Sequence, residues 1–254
     1  MQEYLKAAIK AAKEAGKIAL QRSSDIKVFP KGTSGDIVTN VDMEVEQVIV
    51  ERLSSEFPNF GFICEEKCNI APNSGLAWVV DPIDGTRNYS IGLPFFCTSI
   101  ALVRKNVPVV GVVYDPNKDE VFYAIQGKGS YLNGKCICVS KKSSLEDAVA
   151  SISFQLWEKI REFSNKKVFA ACRCFGAVAL ELCYVASARL DLMLRSNINP
   201  WDGAAGAVIV REASGVVKNQ FGKQWLINDR YLFASNAKLQ KEFASKFPQE
   251  QLQF

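Results

Sequence analysis

Trp78-Val79-Val80-Asp81-Pro82-Ile83-Asp84-Gly85-Thr86 is an apolar run that stops on two acids, with two residues between them and a Gly-Thr step behind. The run 77–80 has the length and β-branched content of a buried strand. Pro82 has no N–H for a ladder, and Gly85 tolerates the dihedrals of a tight turn, so the strand is predicted to end at the acids. Both carboxylates and the Ile83 carbonyl then converge on one point, while the amides of Gly85 and Thr86 face outward. Oxygens grouped in this way suit hard cations and phosphate.

Two further acidic features stand at the ends of apolar elements on either side. Glu65-Glu66 follows the run 60–64, and Asp202 lies in Asn199-Pro200-Trp201-Asp202-Gly203-Ala204-Ala205-Gly206, where it is predicted to begin a helix. Upstream, Leu5, Ala8, Ile9, Ala12, Ala15 and Ala19 recur at the period of an amphipathic helix over 3–20. After a polar, glycine-bearing stretch at 29–35, a second helix is predicted from about Asn40 to Glu56, with Asp42 in its first turn. Short β-rich runs follow at 60–64, 77–80, 95–103, 107–114, 121–125 and 130–139, and Asn133-Gly134 is a strong hairpin signal. Gly129 to Cys136 is one substitution short of a Walker A loop, but it opens onto a strand rather than a helix and is not read as a phosphate loop. Beyond the polar joint 141–144, strands at 149–154, 167–171, 190–194, 216–218 and 232–234 alternate with helices at 175–187, 203–213 and 236–246. Two domains are therefore expected: an α+β unit over 1–145 with most of the acids, and an α/β unit over 146–254 with Asp202 and substrate contacts.

The chain has 254 residues, 48% hydrophobic and 23% charged, enough for a sizeable core and unlike a disordered or fibrous chain. Histidine is absent, which excludes Ser-His-Asp hydrolysis, phosphohistidine chemistry and histidine-ligated zinc. A net charge of +4 mildly favours anionic small molecules and falls far below that of a dedicated nucleic-acid binder, so no nucleic-acid partner is expected. The eight cysteines read mostly as buried thiols, and the pairs Cys136/Cys138 and Cys172/Cys174 are spaced too closely for a structural zinc site. The N-terminus lacks a basic segment ahead of a long apolar one, and no run reaches the ~18 apolar residues of a membrane span. No membrane contact and a cytoplasmic address are expected.

Taken singly, the acids have plain structural readings: an Asx-turn for Asp81 and Asp84, a helix cap for Asp202, a solvated loop for Glu65-Glu66. Four acids at strand and helix ends of a histidine-free chain can instead hold two or more Mg²⁺ ions about 3.5–4 Å apart, where carboxylate and water ligands suffice for phosphoryl transfer. The strings Ser34-Gly35-Asp36-Ile37-Val38-Thr39-Asn40-Val41-Asp42, Cys64-Glu65-Glu66, Trp78 through Asn88, Gly127-Lys128-Gly129 ahead of Asn133-Gly134, and Pro200-Trp201-Asp202 with Ala204-Ala205-Gly206 extend that pattern. Together they resemble the inositol monophosphatase family of Mg²⁺-dependent, lithium-sensitive phosphatases over nearly the whole chain. The resemblance implies an α+β fold, a layered α-β-α-β-α sandwich of the sugar-phosphatase type, and a homodimer. It implies that Glu65, Asp81 and the Ile83 carbonyl hold one Mg²⁺, that Asp81, Asp84 and Asp202 hold a second, and that a third sits on Glu65 and waters, with Mn²⁺ able to substitute. Thr86, Asp42 and Glu65 are the implied catalytic residues, Thr86 with Asp42 orienting the attacking water. Lys31 is expected near the metals, and the amides of Gly85 and Thr86 are expected to hold phosphate oxygens.

Members devoted to inositol phosphate commonly carry a glutamate seven residues before the Trp-Asp aspartate, and here that position is Arg195. A guanidinium can only donate and suits a second phosphate. With Arg173-Cys174-Phe175-Gly176 and Glu181-Leu182-Cys183-Tyr184-Val185-Ala186, it makes the chain look like the bifunctional fructose-1,6-bisphosphatase/inositol-1-monophosphatase members, which implies Arg173 and Arg195 as substrate residues. The structural alternative makes Arg173 a strand cap and Arg195 half of a surface ion pair. The expected activity is hydrolysis of a small-molecule phosphate ester, inositol 1-phosphate and fructose 1,6-bisphosphate. The alternatives are an adenosine 3′,5′-bisphosphate nucleotidase of the same fold and a non-catalytic RNA- or protein-binding relative. A haloacid-dehalogenase-type phosphatase fails on the spacing of Asp81 and Asp84, and a cysteine phosphatase on Cys183 fails because 184–188 is helical and lacks the glycines of an anion loop.

Overall fold

The computed structural model describes residues 1–32, 36–163 and 167–247, so Ser34 and Gly35 of the first signature string lie outside the described residues. Helix α1 (Gln2–Gln21) buries Leu5, Ala8, Ala12, Ala15 and Ala19 on one stripe, and its small alanines let it lie close to its neighbours. The stretch after it is more ordered than its polarity suggests. Strands β1 (Val28–Lys31) and β2 (Asp36–Thr39) pair antiparallel, where the sequence reading names no strand. Helix α2 (Asn40–Glu56) begins at a capping box: the Thr39 hydroxyl accepts from the amides of Val41 and Asp42, and the Asp42 carboxylate accepts from the Thr39 amide at 3.0 Å.

Strands β3 (Gly61–Cys64), β4 (Asn69–Ile70), β5 (Leu76–Asp84), β6 (Cys97–Arg104), β7 (Val107–Asp115), β8 (Glu120–Ile125), β9 (Ser130–Leu132) and β10 (Lys135–Cys136) form a sheet in the order β10-β9-β8-β7-β6-β5-β3-β4. A short helix, α3 (Thr86–Ser90), leaves the end of β5. All neighbours are antiparallel except β3 and β5, which run parallel. The run 130–139 forms β9 and β10, which pair across the predicted Asn133-Gly134 hairpin and end at Cys136.

A second sheet takes β11 (Val149–Ile152), β12 (Ala171–Arg173), β13 (Leu192–Ser196), β14 (Val216–Lys218) and β15 (Tyr231–Ser235) in the order β12-β11-β13-β15-β14. Between these strands run helices α4 (Phe154–Phe163), α5 (Val178–Ala186) and α6 (Pro200–Glu212), and α7 (Ala237–Lys246) follows β15. Helix α4 is absent from the sequence expectation, which carried a strand into Phe154. Its buried Leu156 and Ile160, four apart, are the helical signal that was missed.

Three apolar clusters stack these elements into layers. One joins α1 and α2 to Trp78, Val80, Ile100 and Val112 on one face of the large sheet. The next joins Val79, Ala101 and Val113 on its other face to α5, α6 and to Met193 and Leu232 of the second sheet. The third joins the far face of that sheet to Leu156, Ile160, Leu239 and Phe243 of α4 and α7. The result is the α-β-α-β-α sandwich, α+β in class. Helix α6 fits between two sheets because it is built of small residues: a Cβ on Gly206 would come within 2.4 Å of the Leu182 side chain. Its far end explains Gly127-Lys128-Gly129, whose three amides donate to the Glu212 carboxylate at 2.8, 3.0 and 2.8 Å. The near-Walker string thus opens on a nest that holds a carboxylate of the chain itself. Among the described residues no helix is long and apolar enough to cross a membrane.

Candidate active site

Strand β5 does not stop before Pro82 but runs on to Asp84, a correction to the sequence expectation. Asp81 pairs with Ser99 and Asp84 with Cys97, so the bulge places one extra residue on β5. A bulge is where a strand tolerates a proline, since the residue it displaces needs no ladder donor. The Pro82 carbonyl accepts instead from the Thr98 hydroxyl at 2.9 Å. The bulge sends the two acids in different directions. Asp81 lies beside the parallel strand β3, where Cys64 pairs with Val80 and the Glu65 amide donates to the Val80 carbonyl at 3.2 Å. Asp84 turns to the start of α5, accepting from the amides of Val178 at 3.0 Å and Ala179 at 2.7 Å. It is therefore a helix-capping carboxylate for an element some ninety residues away, and not half of an Asx-turn.

The remaining members arrive from four elements. Asp42, in the first turn of α2, accepts from the Thr86 hydroxyl at 3.1 Å, and the same hydroxyl lies 3.0 Å from the Ile83 carbonyl. Lys31 at the end of β1 places Nζ 3.0 Å from both Glu65 Oε1 and Glu66 Oε1. Those glutamates are no solvated loop, for their side chains are only 19% and 5% exposed. Asp202 is the third residue of α6 and accepts from the Asn199 amide at 2.6 Å, which makes Asn199 the cap and Asp202 its capping-box partner. Ser99 of β6 ties the large sheet to the start of α6 by donating to the Trp201 carbonyl at 3.3 Å.

Burial dominates the electrostatics of the acids, and like charge adds to it. Asp81 is held well above the ordinary carboxylate range by burial, with Glu65, Asp84 and Asp202 adding to the shift. Asp84 is raised by burial and by Asp202, against the pull of the α5 amides. Burial pushes Asp202 up to about 7 and Glu66 up to about 7, with Glu65 adding to both. Asp42 rises to about 6 by burial, opposed by its bonds to Thr39 and Thr86.

Oxygen donors gathered against their own repulsion fit a hard divalent cation. The most direct sign is Asp81 Oδ1, which is buried and has no hydrogen-bond partner. Among the described residues no three acids are already drawn in around one point at coordination distance. The hydrogen bonds account for this, because Asp84 and Asp202 commit oxygens to backbone amides and Glu65 commits one to Lys31.

Arg195 lies elsewhere than expected for either reading of it. It is 5% exposed and its guanidinium is ion-paired with the fully buried Glu181 of α5, with further bonds to Ser151 Oγ at 3.0 Å and the Leu194 carbonyl at 2.9 Å. It is neither a surface residue nor unpaired. Arg173 is exposed and donates to the Cys172 carbonyl at 2.9 Å. Glu181 was not singled out from sequence, yet it also accepts from the amides of Phe175 and Gly176. Asn88 donates to the carbonyls of Phe95 and Phe175 and pins that segment from the other side. Glu46 is a third omission, one helical turn beyond Asp42, and it accepts from the amides that follow Glu65. Its spacing of four from Asp42 was the available signal.

The chain matches the inositol monophosphatase family over residues 1–252. It belongs to that family. As an inositol monophosphatase family member it is similar to inositol monophosphatase 1 of Solanum lycopersicum, at 38% identity over 96% of this chain and 94% of the relative. It is also similar to the Nus factor SuhB of Pasteurella multocida, at 35% identity over 97% of this chain and 96% of the relative. A solved Thermotoga maritima IMPase has a TM-score of 0.90 at 32% identity, covering 98% of both chains. Membership of the inositol monophosphatase family supports a phosphatase with a metal-binding site.

Proposed function

We propose that the chain is a Mg²⁺-dependent phosphomonoesterase acting on inositol 1-phosphate and fructose 1,6-bisphosphate. The observation that carries this reading is the buried, unpartnered Asp81 Oδ1, with Glu65, Asp84 and Asp202 near enough to raise the Asp81 pKa. Glu65, Asp81 and the Ile83 carbonyl would hold one Mg²⁺, Asp81, Asp84 and Asp202 a second, and Glu65 a third. Mg²⁺ bound there supplies charge that favours the ionised form of a water and offsets charge on the departing alkoxide.

The chain's own groups supply orientation and a proton path. The Thr86 hydroxyl has a single proton and two acceptors, Asp42 Oδ1 and the Ile83 carbonyl. When it donates to Asp42, its oxygen is left to accept from a water and so aims that water. Asp42, with a pKa raised to about 6, can take the proton that the water gives up through Thr86. Gly85 adopts a left-handed φ of 92° at the cap of α3, and the Gly85 and Thr86 amides at this helix start would donate to phosphate oxygens. Lys31 balances Glu65 and Glu66 at the rim.

The bisphosphatase half rests on the likeness of segment 173–195 to the bifunctional members. Because Arg195 is committed to Glu181, the exposed Arg173 is the candidate for a second phosphate, and Arg195 acts on the pocket through the Phe175–Gly176 backbone. Relatives that carry the name Nus factor favour a second reading, a binding protein without turnover. Purified protein assayed with inositol 1-phosphate, fructose 1,6-bisphosphate and adenosine 3′,5′-bisphosphate, in saturating Mg²⁺ and in chelator, separates these readings. The expected result is Mg²⁺-dependent release of phosphate with the first two esters at the higher kcat/KM. A preference for the nucleotide would replace the substrate assignment, and no turnover of any ester would leave the binding reading.

A further inference from the structure

Both arms of the site hang on one face of α2. Asp42 reaches Thr86, and Glu46, one turn further along, reaches the tip that joins β3 to β4 and carries Glu65 and Glu66. The Glu46 side chain belongs to a residue only 3% exposed, and its carboxylate takes three consecutive backbone amides. Glu66 N lies 2.8 Å from Oε2, and Lys67 N and Cys68 N lie 2.8 and 3.0 Å from Oε1. The tip is also held by the Cys64 amide donating to the Cys68 carbonyl at 3.0 Å, by the Glu65 amide donating to the Val80 carbonyl at 3.2 Å, and by Lys31 on the side chains of Glu65 and Glu66. It must hold two adjacent glutamates beside Asp81, Asp42 and each other, an arrangement that like charge pushes apart. Charge-assisted bonds to amides are about twice as strong as neutral ones, so Glu46 is the main restraint on the backbone of residues 66–68, while Lys31 pairs with the glutamate side chains.

We propose that Glu46 is a positioning residue of the active site: it grips the amides of residues 66–68 and so sets Glu65 and Glu66 in place before a cation arrives. The proposal rests on the metal-site reading above and adds to it a residue that contacts neither metal nor substrate. The chemistry of the side chain makes it testable. Glu46→Gln keeps the shape but has one oxygen and an NH₂ group, so in either orientation at least one tip amide faces a donor.

Binding of Mn²⁺, followed by the electron paramagnetic resonance signal of the free ion, should be about 10–100-fold weaker in Glu46→Gln than in wild type, the range seen when a residue supporting a metal ligand is changed. Its phosphatase activity should fall at limiting Mg²⁺ and return toward the wild-type kcat at saturating Mg²⁺. Unchanged Mn²⁺ affinity, or a kcat loss that no amount of Mg²⁺ restores, overturns the proposal. Hydrogen exchange on wild type without metal gives a measurement that needs no variant: the amides of 66–68 should be protected, and exchange at unfolded-chain rates overturns the proposal as well. Wild type that takes up no Mn²⁺ while those amides are protected would remove the metal reading itself, and the positioning role with it, a result distinct from a variant that binds as well as wild type.

Discussion

Asp81 is buried, raised in pKa and missing a partner on one oxygen, three properties that cost stability and recur where function requires them. Its neighbours are satisfied differently: Asp84 by the start of α5, Asp202 by its own helix cap, Asp42 by Thr39 and Thr86. Asp81→Asn removes a charge from this group without changing its shape. Turnover in saturating Mg²⁺ should drop by roughly 10²–10⁴-fold, as when a few kcal/mol of electrostatic stabilisation are lost. The metal-free variant should melt at or above the wild-type temperature, because repulsion from Glu65, Asp84 and Asp202 is relieved. Steady-state assays beside thermal melts in chelator check both halves, and a variant that turns over like wild type would exclude Asp81 from the chemistry.

At the level of elements, α5 is joined to both sheets by charged side chains. Asp84 caps it from the large sheet, and Arg195 of β13 pairs with Glu181 in its interior. Removing one member of a buried pair leaves the other uncompensated, at a cost of about 3–5 kcal/mol. Arg195→Met should therefore lower stability by about that amount in urea titration. Adding Glu181→Gln should recover most of it, since an amide can still accept from Phe175 and Gly176 and donate to Ser151. If Arg195→Met alone melts like wild type, the pair does not support the fold. The helices α1 and α2 were readable within a residue or so from periodicity, whereas α4 was hidden by the strand that runs into it. The β1–β2 pair was missed because a four-residue ribbon at 28–39 carries no alternating apolar pattern.

For the molecule as a whole, the clustered acids make stability depend on pH and on divalent ions. Asp42, Glu66 and Asp202 have folded pKa values of about 6, 7 and 7, above the ordinary carboxylate range, so the folded chain binds more protons than the unfolded one between about pH 4 and 7. Stability of the metal-free protein is then greatest at the acid end of that window and falls as pH rises through it. On the proposed metal-site reading Mg²⁺ would bind the ionised acids, and it should then raise the melting temperature more at pH 8 than at pH 5. Calorimetric scans across this range in chelator and in Mg²⁺ are the check; a flat metal-free profile would contradict the crowding of charge described above.

Local chemistry made much of this protein legible in one dimension. Side-chain period sets helices, a Thr-x-x-Asp cap starts α2, a turn pair splits β9 from β10, and the absence of histidine removes imidazole as base, nucleophile or metal ligand. Those are properties of residues a few positions apart, and short-range sterics and hydrogen bonding decide them. The path of β5 through Pro82, the pairing of Arg195 with Glu181, the hold of Glu46 on the metal-ligand tip and the meeting of Asp202 with Asp81 are of another kind. Each depends on which buried groups lie within a few ångströms once the layers are packed, and only the folded chain brings those partners together.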